Sequence, residues 1–282
     1  MDLTWKPELL LASPLFESLR PVLRECPTAG FPGSPDLDAL ANKHGTQNAN
    51  GTVITFAADD DSSRREPDSQ YEVRVYRDGV VPTRRANWHD LFNALVWITF
   101  PRTKAELNRA HYREIMARRG GAGRDITRND SGSRGTARDV LTLFDESGVI
   151  VACGESELSQ MLLEFRWKQL FWSQRNRVQQ AMRFFVFGHA ILEKGLRPYK
   201  GLTAKALVLE VPIAYFLQPL EAQLAEVDAA ASQYFCSVDA LASTRSLSPL
   251  PLFGVPGWCP ANENEFFYED ASVFRPGRIR SG

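Results

Sequence analysis

Val140-Leu141-Thr142-Leu143-Phe144, then Asp145-Glu146-Ser147-Gly148, then Val149-Ile150-Val151-Ala152: this stretch decides the fold class read from the chain. Two apolar runs flank a polar, glycine-ended turn, which is the pattern of a β-hairpin. Tyr71-Glu72-Val73-Arg74-Val75-Tyr76 alternates in the same way and runs into the turn signal Arg77-Asp78-Gly79. Short strands are also expected over 52–56 and 207–211.

Working outward, the remaining apolar segments have helical spacing. Asn87 is placed to cap a helix through about Thr99, stopped by Pro101. Thr103 and Glu106 form a capping-box pattern that opens a second helix, ending at Gly120 and Gly121. Further helices are expected over 156–172, 178–194 (closed by Gly195) and 217–235. Hairpins mixed with helix pairs, without an internal repeat, predict a helix-rich α+β single domain rather than a regular βαβ alternation. It divides into an irregular N-terminal part (1–70, with a polar loop from 59), a helical core (85–245, with the hairpin near 140–152) and a wrapping tail (246–282). The aromatic rings of that tail, Trp258, Phe266, Phe267, Tyr268 and Phe274, read as anchors to the body or as a wall over a pocket.

Composition excludes more than it identifies. With 33 Lys+Arg against 34 Asp+Glu, the formal charge of −1 gives no global argument for nucleic acid or membrane binding. The four cysteines, Cys26, Cys153, Cys236 and Cys259, have no C-x-x-C spacing, so neither a zinc ribbon nor a thioredoxin-like centre is expected. The N-terminus lacks the pattern of a signal peptide and no apolar run has membrane-spanning length, so a cytoplasmic protein with no membrane partner is expected.

The chemistry concentrates at Phe184-Phe185-Val186-Phe187-Gly188-His189-Ala190-Ile191-Leu192-Glu193-Lys194. An imidazole in so apolar a run must be hydrogen-bonded or metal-bound. His189 and Glu193 are four apart, which places them on one face of a helix. His89, on another amphipathic helix, and Asp145 are the candidates to join them. His89, His189 and Glu193 would then hold a divalent metal, with Asp145 as base, in a hydrolase acting through metal- or histidine-activated water on a small-molecule or anionic substrate. The structural alternative is a buried hydrogen bond tying two helices together. His111 lies on a predicted helix and could converge with them, whereas His44 lies in a loop.

Residues 102–138 carry ten basic side chains against four acidic, a local excess of six. A rival reading is therefore a non-catalytic module docking RNA or an acidic partner through this segment. Aromatic interleaving is thin, with only Tyr112, so base stacking is not expected. Gly120–Gly123 follows a helix rather than a strand and is not a phosphate cradle, and no G-x-S-x-G elbow occurs.

Five ordered blocks carry a resemblance. They are Asn87–Trp97 running into Phe100–Lys104, Leu141–Val149, Phe187–Lys194, Pro198-Tyr199 with Gly201–Ala204, and Gly254–Trp258. Together they resemble the family called domain of unknown function number 3025, from about residue 85 onward. The resemblance implies a bacterial protein but supplies no activity, cofactor or catalytic residue. One departure is the polar Ser/Gly/Arg stretch between Arg124-Asp125 and Arg138-Asp139, which reads as an insertion.

Overall fold

The computed structural model of the chain describes residues 4–58, 71–120, 130–237 and 239–276. The polar stretch 59–70 lies outside them. So do residues 121–129, with most of the glycine run and the start of the Ser/Gly/Arg stretch.

The N-terminal part is more helical than expected, with α1 (Pro7–Ala12), α2 (Arg20–Leu23) and α3 (Ser34–Lys43) leading to β1 (Thr55–Ala58). Next come α4 (Tyr71–Asp78), β2 (Val80–Thr83), α5 (Trp88–Thr99), α6 (Pro101–Gly120) and α7 (Asp130–Ser147). β3 (Gly148–Cys153), α8 (Ser156–Leu163), α9 (Arg175–Ala181), β4 (Met182–Val186) and α10 (His189–Gly195) follow. The chain closes with β5 (Thr203–Glu210), α11 (Leu220–Phe235) and β6 (Ser248–Pro251).

The main sheet has the order β4-β3-β5-β6. β3 pairs antiparallel with β4 (Val149 opposite Val186) and parallel with β5 (Gly148 opposite Lys205), and β6 runs antiparallel to β5. All six residues of β3 are buried, as suits a central strand covered on both faces. β1 and β2 form a separate parallel pair.

The α+β class therefore holds, but neither expected hairpin forms. Val140–Phe144 is the last part of a helix. Ala137, Val140, Leu141 and Phe144 are buried at spacings of three and four, and Thr142 is exposed, so the stripe has the helical period. α7 then passes into β3 without a loop. A Cβ on Gly148 would stand 2.4 Å from the Phe144 carbonyl oxygen, so only glycine permits that passage. Tyr71–Tyr76 is likewise helical. Gly79, at φ +69°, ends α4 with its N–H on the Val75 carbonyl (3.1 Å). The Asp-Gly signal was real, but it marks a helix C-cap rather than a hairpin turn.

The predicted helix over 178–194 splits into α9, β4 and α10, because Met182–Val186 is drawn into the sheet beside β3. The one over 156–172 also breaks, with Phe165 at φ +59° between α8 and a π-helical turn at Gln169–Ser173. In the tail, Tyr268 and Phe274 are buried anchors and Phe266 is 73% exposed. None of the five tail rings lines the cleft described below.

Asn87 caps α5 as expected, its side-chain oxygen accepting the Asp90 N–H at 3.0 Å. The Thr103–Glu106 capping box does not form. α6 begins at Pro101, and Asp228 from α11 accepts the Arg102 and Thr103 N–H groups at 3.0 and 2.8 Å. The Thr103 hydroxyl donates back to the Asp228 carbonyl (3.0 Å), while Glu106 pairs with Arg109. Burial pushes the Asp228 carboxyl up against the pull of these donors. Asp228→Ala should therefore cost about 2 kcal/mol in denaturant unfolding, because it orphans two main-chain donors in the interior.

Candidate metal centre

Five helices converge on one cleft of about 480 Å³, α4 forming one wall with Tyr71, Glu72 and Arg74. α5 supplies His89, Asn93 and Trp97, and α6 supplies Lys104, Asn108 and His111. The C-terminal end of α7 brings Asp145 and Glu146, and α10 brings His189 as its first residue. Two acids at a helix C-terminus oppose the helix dipole, so their placement calls for nearby cations.

His89 and His189, 100 residues apart, meet edge to face with their Nε2 atoms 3.0 Å apart. The far nitrogen of each ring faces a carboxylate. His89 Nδ1 lies 2.9 Å from Glu193 Oε2, and His189 Nδ1 lies 3.8 Å from Asp145 Oδ2 without a hydrogen-bond partner. Glu146 Oε1 lies 3.6 Å from His189 Nε2, and His89, Glu146 and His189 each bring one ligand atom within 4.8 Å of the others. Glu193 follows His189 by four residues on α10, as the spacing suggested, and both reach the His89 ring, His189 at Nε2 and Glu193 at Nδ1. Glu193 stands behind His89 and is half-exposed.

The protons of this pair do not balance. Glu193 only accepts, so His89 carries its hydrogen on Nδ1 and leaves a lone pair on Nε2. If His189 Nε2 donates to that lone pair, its own Nδ1 lone pair faces Asp145. If Nδ1 carries the hydrogen, two Nε2 lone pairs face each other across 3.0 Å. One positive charge between the rings, a proton or a metal ion, satisfies all four nitrogens. Burial opposes the proton on His189 and takes its imidazole down to about 4, although Asp145 pulls the other way. Two Zn–N bonds of about 2.05 Å at a tetrahedral angle span about 3.3 Å, so an ion fits with a movement of a few tenths of an ångström. The donor set of two imidazoles and a carboxylate, each ring facing an outer acid, is compatible with a metal centre.

A buried cation network supports the acids. Lys104 Nζ donates to Asp145 Oδ1 (2.6 Å) and to Asn93 Oδ1 (2.9 Å), and lies 5.4 Å from the Trp97 ring centre. Burial alone would lower the lysine, but Asp145, helped by Tyr71, outweighs it and holds the ammonium above its ordinary value. Burial alone would likewise raise Asp145, yet Lys104 and then His189 keep it below the usual carboxylate range. Burial and the neighbouring Asp145 charge push Glu146 up. Burial takes His111 down, against Glu72 and Asp145.

The predicted residues thus meet, with additions. His89, His189 and Asp145 line the cleft, Glu193 stands behind His89, and His111 shares the cleft outside the metal-ligand group. His44 pairs with Glu25 instead. Glu146 and Lys104 were missed, one hidden in an assumed turn and the other counted in a basic patch. Of that patch, Lys104 turns inward and Arg109 pairs with Glu106, while Arg102, Arg113, Arg118 and Arg138 are exposed. Tyr112 is stacked on Tyr76 at 4.0 Å. Cys153 donates to the Glu155 carbonyl, and burial pushes its thiol up, away from nucleophile behaviour.

No described helix is long and apolar enough to cross a membrane. No curated protein and no solved structure matches the chain. The cleft residues, from Tyr71 to His189, all fall within residues 54–278, the span matched by the model of the family described as Protein of unknown function (DUF3025), and the chain belongs to that family.

Proposed function

We propose that this protein is a metal-dependent hydrolase whose divalent ion is held by His89, His189 and Glu146. The observation that carries the reading is the 3.0 Å approach of the two Nε2 atoms with a carboxylate behind each opposite ring nitrogen. A divalent ion in this position supplies a Lewis acid and lowers the pKa of a coordinated water to about 7. Glu193, first placed among the ligands, instead fixes the tautomer of His89. Asp145, 3.8 Å from His189 Nδ1, sets the electrostatic preference for a hydrogen on that nitrogen while Lys104 holds its other oxygen. A carboxylate held below its ordinary range is a poor proton acceptor, so Asp145 orients rather than acting as base. His111 is also lowered by burial, but from the higher ordinary value of an imidazole, and it is the proton acceptor assigned here.

Elemental analysis of untagged protein and calorimetric zinc titration test the proposal. About one ion per chain is expected. His189→Ala should weaken zinc by about 100-fold or more, and Glu193→Gln by about 10–100-fold, as for other outer partners of ligating histidines. Hydrolysis across a panel of esters, amides and phosphoesters should stop on chelation and return with zinc. A wild type without metal, together with unchanged zinc affinity in His189→Ala, rejects the reading.

A further inference from the structure

The wall of the cleft formed by α4 carries two donors, the Tyr71 hydroxyl and Arg74, that no described residue uses. Lys104 has only hydrogens to give, so Asn93 must turn its oxygen to the lysine and its amide N–H to the Tyr71 oxygen (3.0 Å). The Trp97 indole, also donor-only, gives a second bond to the same oxygen (3.1 Å). Both lone pairs of the Tyr71 hydroxyl are therefore taken, and its hydrogen has no acceptor among the described residues. Burial pushes the phenol up, so that hydrogen stays in place at neutral pH.

Arg74 follows three residues later, on the same face of α4. It is half-buried, lines the cleft and has no partner among the described residues. The other cations of the cleft are engaged. Arg84 donates to Asp90 through Nε (2.9 Å) and Nη2 (2.8 Å), and Lys104 is bound to Asp145. Glu72, between Tyr71 and Arg74 in sequence, lies close enough to His111 for its charge to be felt there.

We infer that the substrate carries an anionic oxygen group, a carboxylate or a phosphate, seated on the Tyr71 hydroxyl and the Arg74 guanidinium. A hydroxyl hydrogen without an acceptor and a half-buried guanidinium without a partner among the described residues, on one face of α4, are complementary to such a group and to few others. The inference rests on the cleft being the substrate site of the proposed hydrolase, and it adds what the far end of that substrate must present.

Chelating probes test it on the zinc-loaded full chain. The monohydroxamates of malonate, succinate and glutarate are each compared with their methyl esters, and phosphonoacetohydroxamate is run beside them. The best acid should bind at least about tenfold more tightly than its ester, the scale of one charge-assisted hydrogen bond. Arg74→Gln should remove that advantage and Tyr71→Phe reduce it, with ester affinity kept. Tighter binding of the phosphonate than of every carboxylate assigns phosphate; the reverse assigns carboxylate. Esters binding as tightly as acids, or an advantage surviving Arg74→Gln, overturns the inference. If no hydroxamate binds, it is the metal reading that fails, and glutarate titrated into the metal-free chain decides. Binding lost in Arg74→Gln supports the anion seat, and no binding, or binding unchanged by the substitution, removes it.

Discussion

Lys104→Met should destabilise the protein by about 3 kcal/mol at neutral pH, read from denaturant unfolding, and should weaken zinc binding as well. The lysine is 3% exposed and its partner Asp145 is 22% exposed, so the substitution strands a carboxylate with little water to take over. Breaking one side of a buried pair costs about 3–5 kcal/mol, and the residual access of Asp145 places the effect at the lower end. Asn93 loses the donor to its oxygen at the same time.

The pH dependence has a definite sign. In the wild type Asp145 titrates below its ordinary value, so its contribution is present at neutral pH and is lost as pH falls through the folded-state pKa. Without Lys104 the burial effect, the largest of those acting on Asp145, is opposed mainly by the neighbouring histidines, and the carboxyl rises instead. The variant then regains stability as pH falls and the acid neutralises. The difference between the two proteins should shrink steadily from pH 7 toward pH 4; a gap that stays constant would mean that Asp145 is not the stranded charge. The double substitution Lys104→Met/Asp145→Leu separates fold from site. Replacing both charges by apolar groups should recover most of the stability, but not the zinc affinity, because His189 has lost its orienting acid.

How much of this was legible depends on which distances the chain itself encodes. Caps and glycines acting within a few residues were readable: Asn87 caps α5, and the Asp78-Gly79 signal is a real left-handed position. Its assignment to a hairpin failed because a helix C-cap and a tight turn both demand that conformation. Phe184–Phe187 misled for a related reason, since a short fully apolar run fits a buried strand and a buried helix alike. What settled it was pairing with β3, some 30 residues earlier.

The same split runs through the site. His189 stood out as an imidazole in an apolar run and His89 as one on an amphipathic helix, but their meeting spans 100 residues, and the Glu193 contact with His89 spans 104. Glu146 was invisible because Asp145-Glu146 reads as the polar middle of a turn. Only the helical stripe of Val140, Leu141 and Phe144 would have placed both acids on a helix end against its dipole.

Gly188→Ala should be at least as damaging as the loss of Lys104, through packing rather than charge. Gly188 has φ −63°, which alanine adopts freely, so no backbone strain enters. An added Cβ would stand 2.5 Å from the main-chain nitrogens of Ser147 and Gly148 and 2.6 Å from the Glu146 carbonyl oxygen. All three are backbone atoms at the junction of α7 and β3, and none can swing aside. Alanine must therefore lift the β4–α10 turn away, breaking the Phe187 and Gly188 N–H bonds to the Gly148 carbonyl (3.0 and 2.8 Å). Overpacking with the loss of two buried hydrogen bonds should cost about 3 kcal/mol or more. The same lift carries His189 away from Glu146 and Asp145, now 3.6 and 3.8 Å distant, so zinc affinity should fall about 100-fold or more even where the variant remains folded. Gly201→Ala is the matched control, since its methyl would meet nothing nearer than 3.9 Å, and it should change stability by no more than about 0.5 kcal/mol. If Gly188→Ala unfolds at the wild-type midpoint and binds zinc as tightly, the close approach of these two turns is not what sets the metal-ligand distances.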